Sequence, residues 1–172
     1  MTSTLRLFVL ALGAVTMTSL SPAAPLNVGD SAPKVSAVTD SGKTLNLGDV
    51  YGNQRFTLVY FYPRADTPGC TAQGCSLRDA YQELTEKGVA VIGVSNDNVE
   101  AQRAFREKYN LPFTLLADTD FKVIRAFGQQ GIKSAKRQAY LIRDGKIVYA
   151  DHAGSTSKQA ADILAFIASG RS

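Results

Sequence analysis

Tryptophan is absent from this chain of 172 residues, and thiols and imidazoles are nearly so: two cysteines, Cys70 and Cys75, and one histidine, His152. So few cysteines exclude a disulfide-dense small scaffold. Three Cys and His side chains cannot fill a four-ligand zinc site without a carboxylate or a second chain, so no metal is expected. Charge of one sign is also scarce. The formal net charge is +4, and the basic residues are scattered without a run of five or six. Nucleic acid is therefore not expected as a partner. What is present is ordinary. Hydrophobic residues make up 45% and charged residues 20%, which suits one globular domain and excludes a disordered, collagenous or multi-pass membrane chain.

The N-terminus reads differently from the rest. Arg6 precedes the apolar stretch Leu7 to Val15, which is too short to span a bilayer and right for the apolar core of a secretory signal. Ser21 and Ala23 put small residues three and one before a cut between Ala23 and Ala24. Residues 1–23 are thus expected to be a signal peptide, and residues 24–172 a single domain. The expected location is exported, in the periplasm, with no stable membrane insertion after cleavage; the alternative is the cytoplasm, if the N-terminus is not a functional signal.

Ala24 to Asp30 reads as an extended leader. Val35 to Thr39 and Lys43 to Leu47 flank the turn residues Asp40-Ser41-Gly42, which predicts a small hairpin. Phe56 to Tyr62 is a continuous apolar run, expected to be a strand buried on both faces. Pro63 to Gly69 reads as a loop. Thr71 to Lys87 has helical spacing and stops at Gly88. A second buried strand is expected at Val89 to Ser95. A helix follows over Asn98 to Tyr109, with Asp97 and Glu100 spaced as a capping box. Thr114 to Ala117 reads as a strand and Phe121 to Phe127 as a short helix. Gln138 to Ile142 and Lys146 to Tyr149 flank Asp144-Gly145, a strong hairpin signal. Ser157 to Ser169 is an amphipathic helix. The alternation predicts an α/β fold with a central mixed sheet flanked by helices and an N-terminal β-hairpin extension. The closing hairpin and last helix make it thioredoxin-like, and no Gly-x-Gly-x-x-Gly follows the first buried strand.

Cys70 falls in the first turn of the helix after that strand, outside its carboxyl end, where open α/β sheets bind ligands. A helix N-terminus carries partial positive charge, which favours a thiolate over a thiol. Cys75 lies five residues on. In a helix the two Cα atoms would stand ~7.5 Å apart along the axis and about 8.7 Å apart in all, beyond the ~7 Å limit of a disulfide. The pair can bond only if the first turns unwind, and Gly74 eases that, since Gly costs roughly 1 kcal/mol against Ala inside a helix. Two alternatives stand: a redox pair, and a permanent structural disulfide that keeps the helix broken.

The string Pro63-x-x-x-Thr67-x-x-Cys70 resembles the peroxiredoxin active-site motif. The longer Tyr60-Phe61-Tyr62-Pro63-Arg64-Ala65-Asp66-Thr67-Pro68-Gly69-Cys70, with Cys75 five residues later, is similar to the bacterioferritin-comigratory-protein or peroxiredoxin Q subfamily. The resemblance runs from about Leu26 to Ile167. It implies that Cys70 is the peroxidatic cysteine, attacking hydrogen peroxide or organic hydroperoxides to give a sulfenic acid. It implies that Cys75 is the resolving cysteine and that Thr67 hydrogen-bonds the thiolate and the peroxide. Pro63 would shield the site, and Arg137, before the strand Gln138 to Ile142, would stabilise the thiolate. A thioredoxin-like reductant would restore the dithiol, with no cofactor, and the chain would act as a monomer. Many members carry a tryptophan near Phe127 to Gly131, which this chain lacks. His152 reads as a loop residue and Asp66 and Arg64 as solvated loop charges. The rival functions are a thiol–disulfide oxidoreductase acting on proteins, which usually shows Cys-x-x-Cys, and a non-catalytic thioredoxin-fold module.

Overall fold

The computed structural model describes residues 24–171; the expected signal peptide, Met1 to Ala23, lies outside them. The first hairpin forms as read: strands β1 (Ser36–Thr39) and β2 (Thr44–Asn46) pair antiparallel, with Gly42 at φ +81° in the turn. The second strand stops at Asn46 rather than Leu47 because Asn46 caps a helix the sequence reading missed, α1 (Leu47–Asn53). Its side chain accepts a hydrogen bond from the Gly48 N–H at 2.7 Å, satisfying one of the free donors of the first turn.

All six residues of β3 (Phe56–Phe61) are buried, as their unbroken apolar character requires. The helix expected over Thr71 to Lys87 is two helices, α2 (Pro68–Asp79) and α3 (Tyr81–Glu86). The first begins at Pro68 because proline presets a helical φ and its missing N–H costs nothing in the first turn. The break falls at Ala80, φ −98° and ψ 10°. The resulting bend lets both Leu77 and Leu84 enter one core.

Strand β4 (Val89–Ser95) has the expected bounds. Helix α4 (Val99–Lys108) is capped by Asn98, whose side chain accepts from the Ala101 N–H at 2.9 Å. The capping box anchored on Asp97 is not made. Asp97 turns instead to the loop after β3, taking the Ala65 N–H and the Ser95 hydroxyl, each at 2.7 Å. After β5 (Thr114–Ala117) comes the short α5 (Lys122–Ala126), whose Val123 and Ile124 N–H groups donate to the buried Asp118 carboxylate. Burial, with a smaller contribution from Asp120, raises the Asp118 pKa in spite of those two bonds. The chain closes with the hairpin β6 (Gln138–Arg143) and β7 (Lys146–Asp151), then α6 (Gln159–Ala168). Asp144 and Gly145 both have positive φ, the geometry that suits a two-residue hairpin turn.

The seven strands form one mixed sheet in the order β2-β1-β5-β4-β3-β6-β7. The β3, β4 and β5 strands run parallel, and every other neighbouring pair is antiparallel. One face packs Leu77, Leu84, Phe105 and Ile163 from α2, α3, α4 and α6 over Leu58 and Tyr60. The other packs α1 and α5 over Val59 and Phe61. This is the thioredoxin-like arrangement expected. Among the described residues, no helix is long and apolar enough to cross a membrane.

Candidate active site

The site forms where β3 ends and α2 begins. Phe61 pairs with Gln138 across the antiparallel β3–β6 ladder. That register brings Arg137, the residue before β6, beside the chain that leaves β3. Cys70 is the third residue of α2 and is buried, with 1% exposure. The Arg137 Nη2 donates to its Sγ at 3.4 Å. The Arg137 Nη1 donates to the Gly69 carbonyl at 3.2 Å and to the Gln73 Oε1 at 2.7 Å. The guanidinium is thus fastened at several points with one edge against the sulfur. Hydrogen bonds to the charged form of a group favour that form.

Two glycines make room for this arginine. A β-carbon at Gly69 would stand 3.0 Å from Nη2, and one at Gly154 would stand 2.5 Å from the Arg137 Cγ and carbonyl oxygen. Gln73 is fully buried, and its Nε2 donates to the Oε1 of Gln159 on α6 at 2.9 Å. Gln73, Gln159 and Gly154 were missed by the sequence reading. Only Gln73 carries a local signal, since it lies one helical turn beyond Cys70 and so shares its face.

Thr67 sits at the N-cap of α2, but its side chain makes no capping bond. Its hydroxyl donates to the Arg64 carbonyl at 2.9 Å. The hydrogen bond expected from Thr67 to the Cys70 sulfur is therefore not the one this structure holds; with its proton committed to Arg64, the oxygen is left to accept. Pro63 is half-buried at the start of the loop. The loop is tied down at Asp66, φ +58°, which accepts from the Lys108 Nζ at 2.7 Å and the Tyr109 hydroxyl at 2.6 Å. Lys108 and then Tyr109 hold the Asp66 pKa below its ordinary value. Asp66, expected as a solvated loop charge, is exposed but paired.

Cys75 lies half-buried in the same helix, and both thiols are free. The structure is therefore the helical dithiol, and it contains no permanent disulfide between them. Arg78 lies one turn beyond Cys75. Its pKa is raised, first by Asp79 and also by the Cys75 sulfur. The Tyr60 hydroxyl is fully buried in the core that also holds Cys70; burial, and secondarily the two sulfurs, push its pKa far up, so it stays a neutral phenol. His152 lies apart from this cluster, its Nε2 paired with the Leu26 carbonyl at 2.8 Å. In the segment where many members of the subfamily carry a tryptophan, the backbone of Ala24 and Pro25 lies against Gly128. A β-carbon at Gly128, φ +76°, would stand 1.8 Å from the Ala24 carbonyl oxygen. Among the described residues, no three His, Cys, Asp or Glu side chains cluster as metal ligands.

Comparison with known proteins gives one consistent picture. Residues 28–150 match the model of the AhpC/TSA family. The chain is 48% identical over 116 residues to peroxiredoxin Bcp of Escherichia coli K12, covering 67% of this chain and 73% of that protein. Among solved structures, peroxidoxin BcpB of Mycobacterium tuberculosis superposes with a TM-score of 0.77 at 27% identity, over 84% of this chain and 98% of that one. The bacterioferritin comigratory protein of Xanthomonas campestris, studied for its alkyl peroxide reduction activity, gives 0.72 at 26% identity, over 80% and 92%.

Proposed function

The chain belongs to the AhpC/TSA family, as a peroxiredoxin of the bacterioferritin-comigratory-protein and peroxiredoxin Q group, and from that premise we propose that Cys70 is its peroxidatic nucleophile and Cys75 its resolving thiol. The protein is a thiol-dependent peroxidase. The observation that carries the assignment is the Arg137 guanidinium on the Cys70 sulfur at the start of a helix.

The chemistry follows from that contact. A Cys70 thiolate attacks one peroxide oxygen. The S–O bond forms as the O–O bond breaks, and the departing oxygen takes a proton to leave as water or an alcohol. Arg137 supplies fixed N–H donors where negative charge passes from sulfur to oxygen, so no reorganisation is needed at the moment of reaction. The free acceptor on Thr67 suits a peroxide O–H, and Pro63 borders the loop that holds it. Cys75 then attacks the sulfenic sulfur, an S–S bond forms, and water leaves. A thioredoxin-like dithiol returns two electrons by two exchanges. Cys70, Cys75, Arg137 and Gln73 all come from one chain, so the proposed chemistry needs no residue from a second copy.

The test is peroxide consumption with dithiothreitol. Cys70→Ser is expected to abolish it. Cys75→Ser is expected to form a sulfenic acid at Cys70 that dimedone traps, yet to lose turnover with a thioredoxin-like donor. Full activity in Cys70→Ser would overturn the assignment.

Residues 1–23 are read as an export signal, supported by the apolar run Leu7 to Val15 and the small residues Ser21 and Ala23. The reductant must then be a thioredoxin-like protein of the compartment outside the inner membrane. Protein isolated from the native cell is expected to begin at Ala24 and to fractionate with the periplasm. An uncleaved chain in the cytosol would refute this.

A further inference from the structure

The acceptor that Gln159 offers to Gln73 leaves a polar group stranded. The Gln159 side chain is fully buried on α6, and its Nε2 finds no acceptor among the described residues. A buried donor without a partner is costly, and its retention calls for a reason. The reason lies two residues away along a hydrogen-bond chain whose polarity is set at its far end.

Arg137 is a donor only. It can meet Gln73 only through the Gln73 Oε1, at 2.7 Å. The Gln73 amide must then present its NH2 in the opposite direction, toward α6, and that NH2 needs an acceptor. Gln159 supplies its Oε1 at 2.9 Å, which obliges its own NH2 to face away. Were Gln159 turned to satisfy its own donor, two NH2 groups would oppose each other. Gln73 would then be free to flip, and the Arg137 Nη1 would lose its shortest contact. The remaining ties of the guanidinium are longer, 3.2 Å to the Gly69 carbonyl and 3.4 Å to the Cys70 sulfur.

We propose that Gln159 is a positioning residue of the peroxidatic site: by accepting from Gln73 it fixes the amide orientation that holds Arg137 against the Cys70 sulfur. The inference rests on the peroxidase reading above and extends it to a residue on the last helix, whose side chain hydrogen-bonds Gln73 rather than the cysteine or the arginine. It also ties the site to the state of α2. Gln73 lies between Cys70 and Cys75, so unwinding for the disulfide withdraws the middle of the chain and releases Arg137.

The test separates orientation from stability. Gln159→Leu removes the acceptor and its stranded donor at similar volume and leaves the Gln73 Nε2 unpaired in its place, so the number of unpaired buried donors is unchanged. Its melting temperature is expected to hold, while the second-order rate constant of Cys70 with hydrogen peroxide falls roughly tenfold, within the cost of a displaced catalytic group. Gln159→Glu, protonated in this fully buried position, keeps a carbonyl acceptor of the same reach and is expected to stay within about twofold of the wild type. The same series is run in a Cys75→Ser background with iodoacetamide at fixed pH, where alkylation of Cys70 is expected to slow in parallel. Wild-type rate constants for Gln159→Leu in both assays, or equal slowing in Gln159→Glu, would overturn the proposal. If the wild type itself consumed no peroxide, the peroxidase reading would fall, and the alkylation series would still decide whether Gln159 acts on Cys70. Should Gln159→Leu not fold, Gln159→Met replaces it in both assays.

Discussion

At Gly154 an added methyl group has nowhere to go. It would stand 2.5 Å from two atoms of Arg137, on a backbone whose φ of +75° already disfavours an L side chain. Both penalties fall on the residue that faces the Cys70 sulfur. Gly154→Ala is expected to cost roughly 1–3 kcal/mol in stability and to slow peroxide reduction as Arg137 is displaced; a lowered melting temperature with an unchanged rate constant would detach Gly154 from the site. The residues around Cys70 differ in how they can be found from sequence. Pro63, Thr67, Cys70 and Cys75 lie on one contiguous stretch, so their spacing carries them. Arg137 is singled out only by resemblance to a family, because Lys133 and Lys136 lie nearby in the sequence and nothing local distinguishes their charges. Gln159 and Gly154 reach the site through tertiary contacts from the far end of the chain, where no local pattern records them.

Helix α2 has to be stable enough to present Cys70 and weak enough to open. Its later part is fastened at both sides: the Ala160 N–H of α6 donates to the Ser76 hydroxyl at 3.1 Å, and the Arg78 Nη1 donates to the Tyr109 carbonyl at the end of α4 at 2.8 Å. Its first turns are held instead at the site itself, by Arg137 on Gly69, Cys70 and Gln73 and by Gln159 on Gln73, ties that come from side chains able to turn away. Gly74 stands where they meet. A β-carbon there would lie 3.5 Å from the Leu111 methyls and 3.7 Å from the Phe105 ring, ordinary contact that an alanine can make without strain. Gly74→Ala is therefore expected to favour the helix by about 1 kcal/mol and to slow disulfide formation about fivefold. More Cys70 should then pass to sulfinic acid at high peroxide. Mass spectrometry of Cys70 after a peroxide series reads both effects. Equal disulfide rates in the two proteins would show that unwinding is not the slow step. Strands were legible here to the residue at β4 and β5, since apolar runs bounded by turn residues leave little choice. Helix ends were not, because caps decide them. Asn46 started α1 where a strand was expected to continue, and Asn98 displaced Asp97 from its expected role.

Across the whole molecule, the sheet is what makes a site from residues 67 positions apart. Strand β3 lies between β4 and β6 and ends where β6 begins, so the same ladder that builds the core sets Arg137 over the start of α2. The alternation of strands and helices was readable in the sequence, and with it the fold class. The strand order was not, because the antiparallel docking of β1 on β5 is decided by which edge the hairpin can cover. The central claim is that peroxide converts a helical dithiol, buried at Cys70 and half-buried at Cys75, into a local disulfide while the rest of the fold stands. One equivalent of hydrogen peroxide, followed by peptide mass mapping and amide hydrogen exchange on the same sample, tests it directly. The account predicts a Cys70–Cys75 disulfide, with protection lost from the first turns of α2 and kept in β3, β4 and β6. A sample in which the two cysteines join while α2 keeps its full protection, or in which Cys70 stays unreacted, would contradict it.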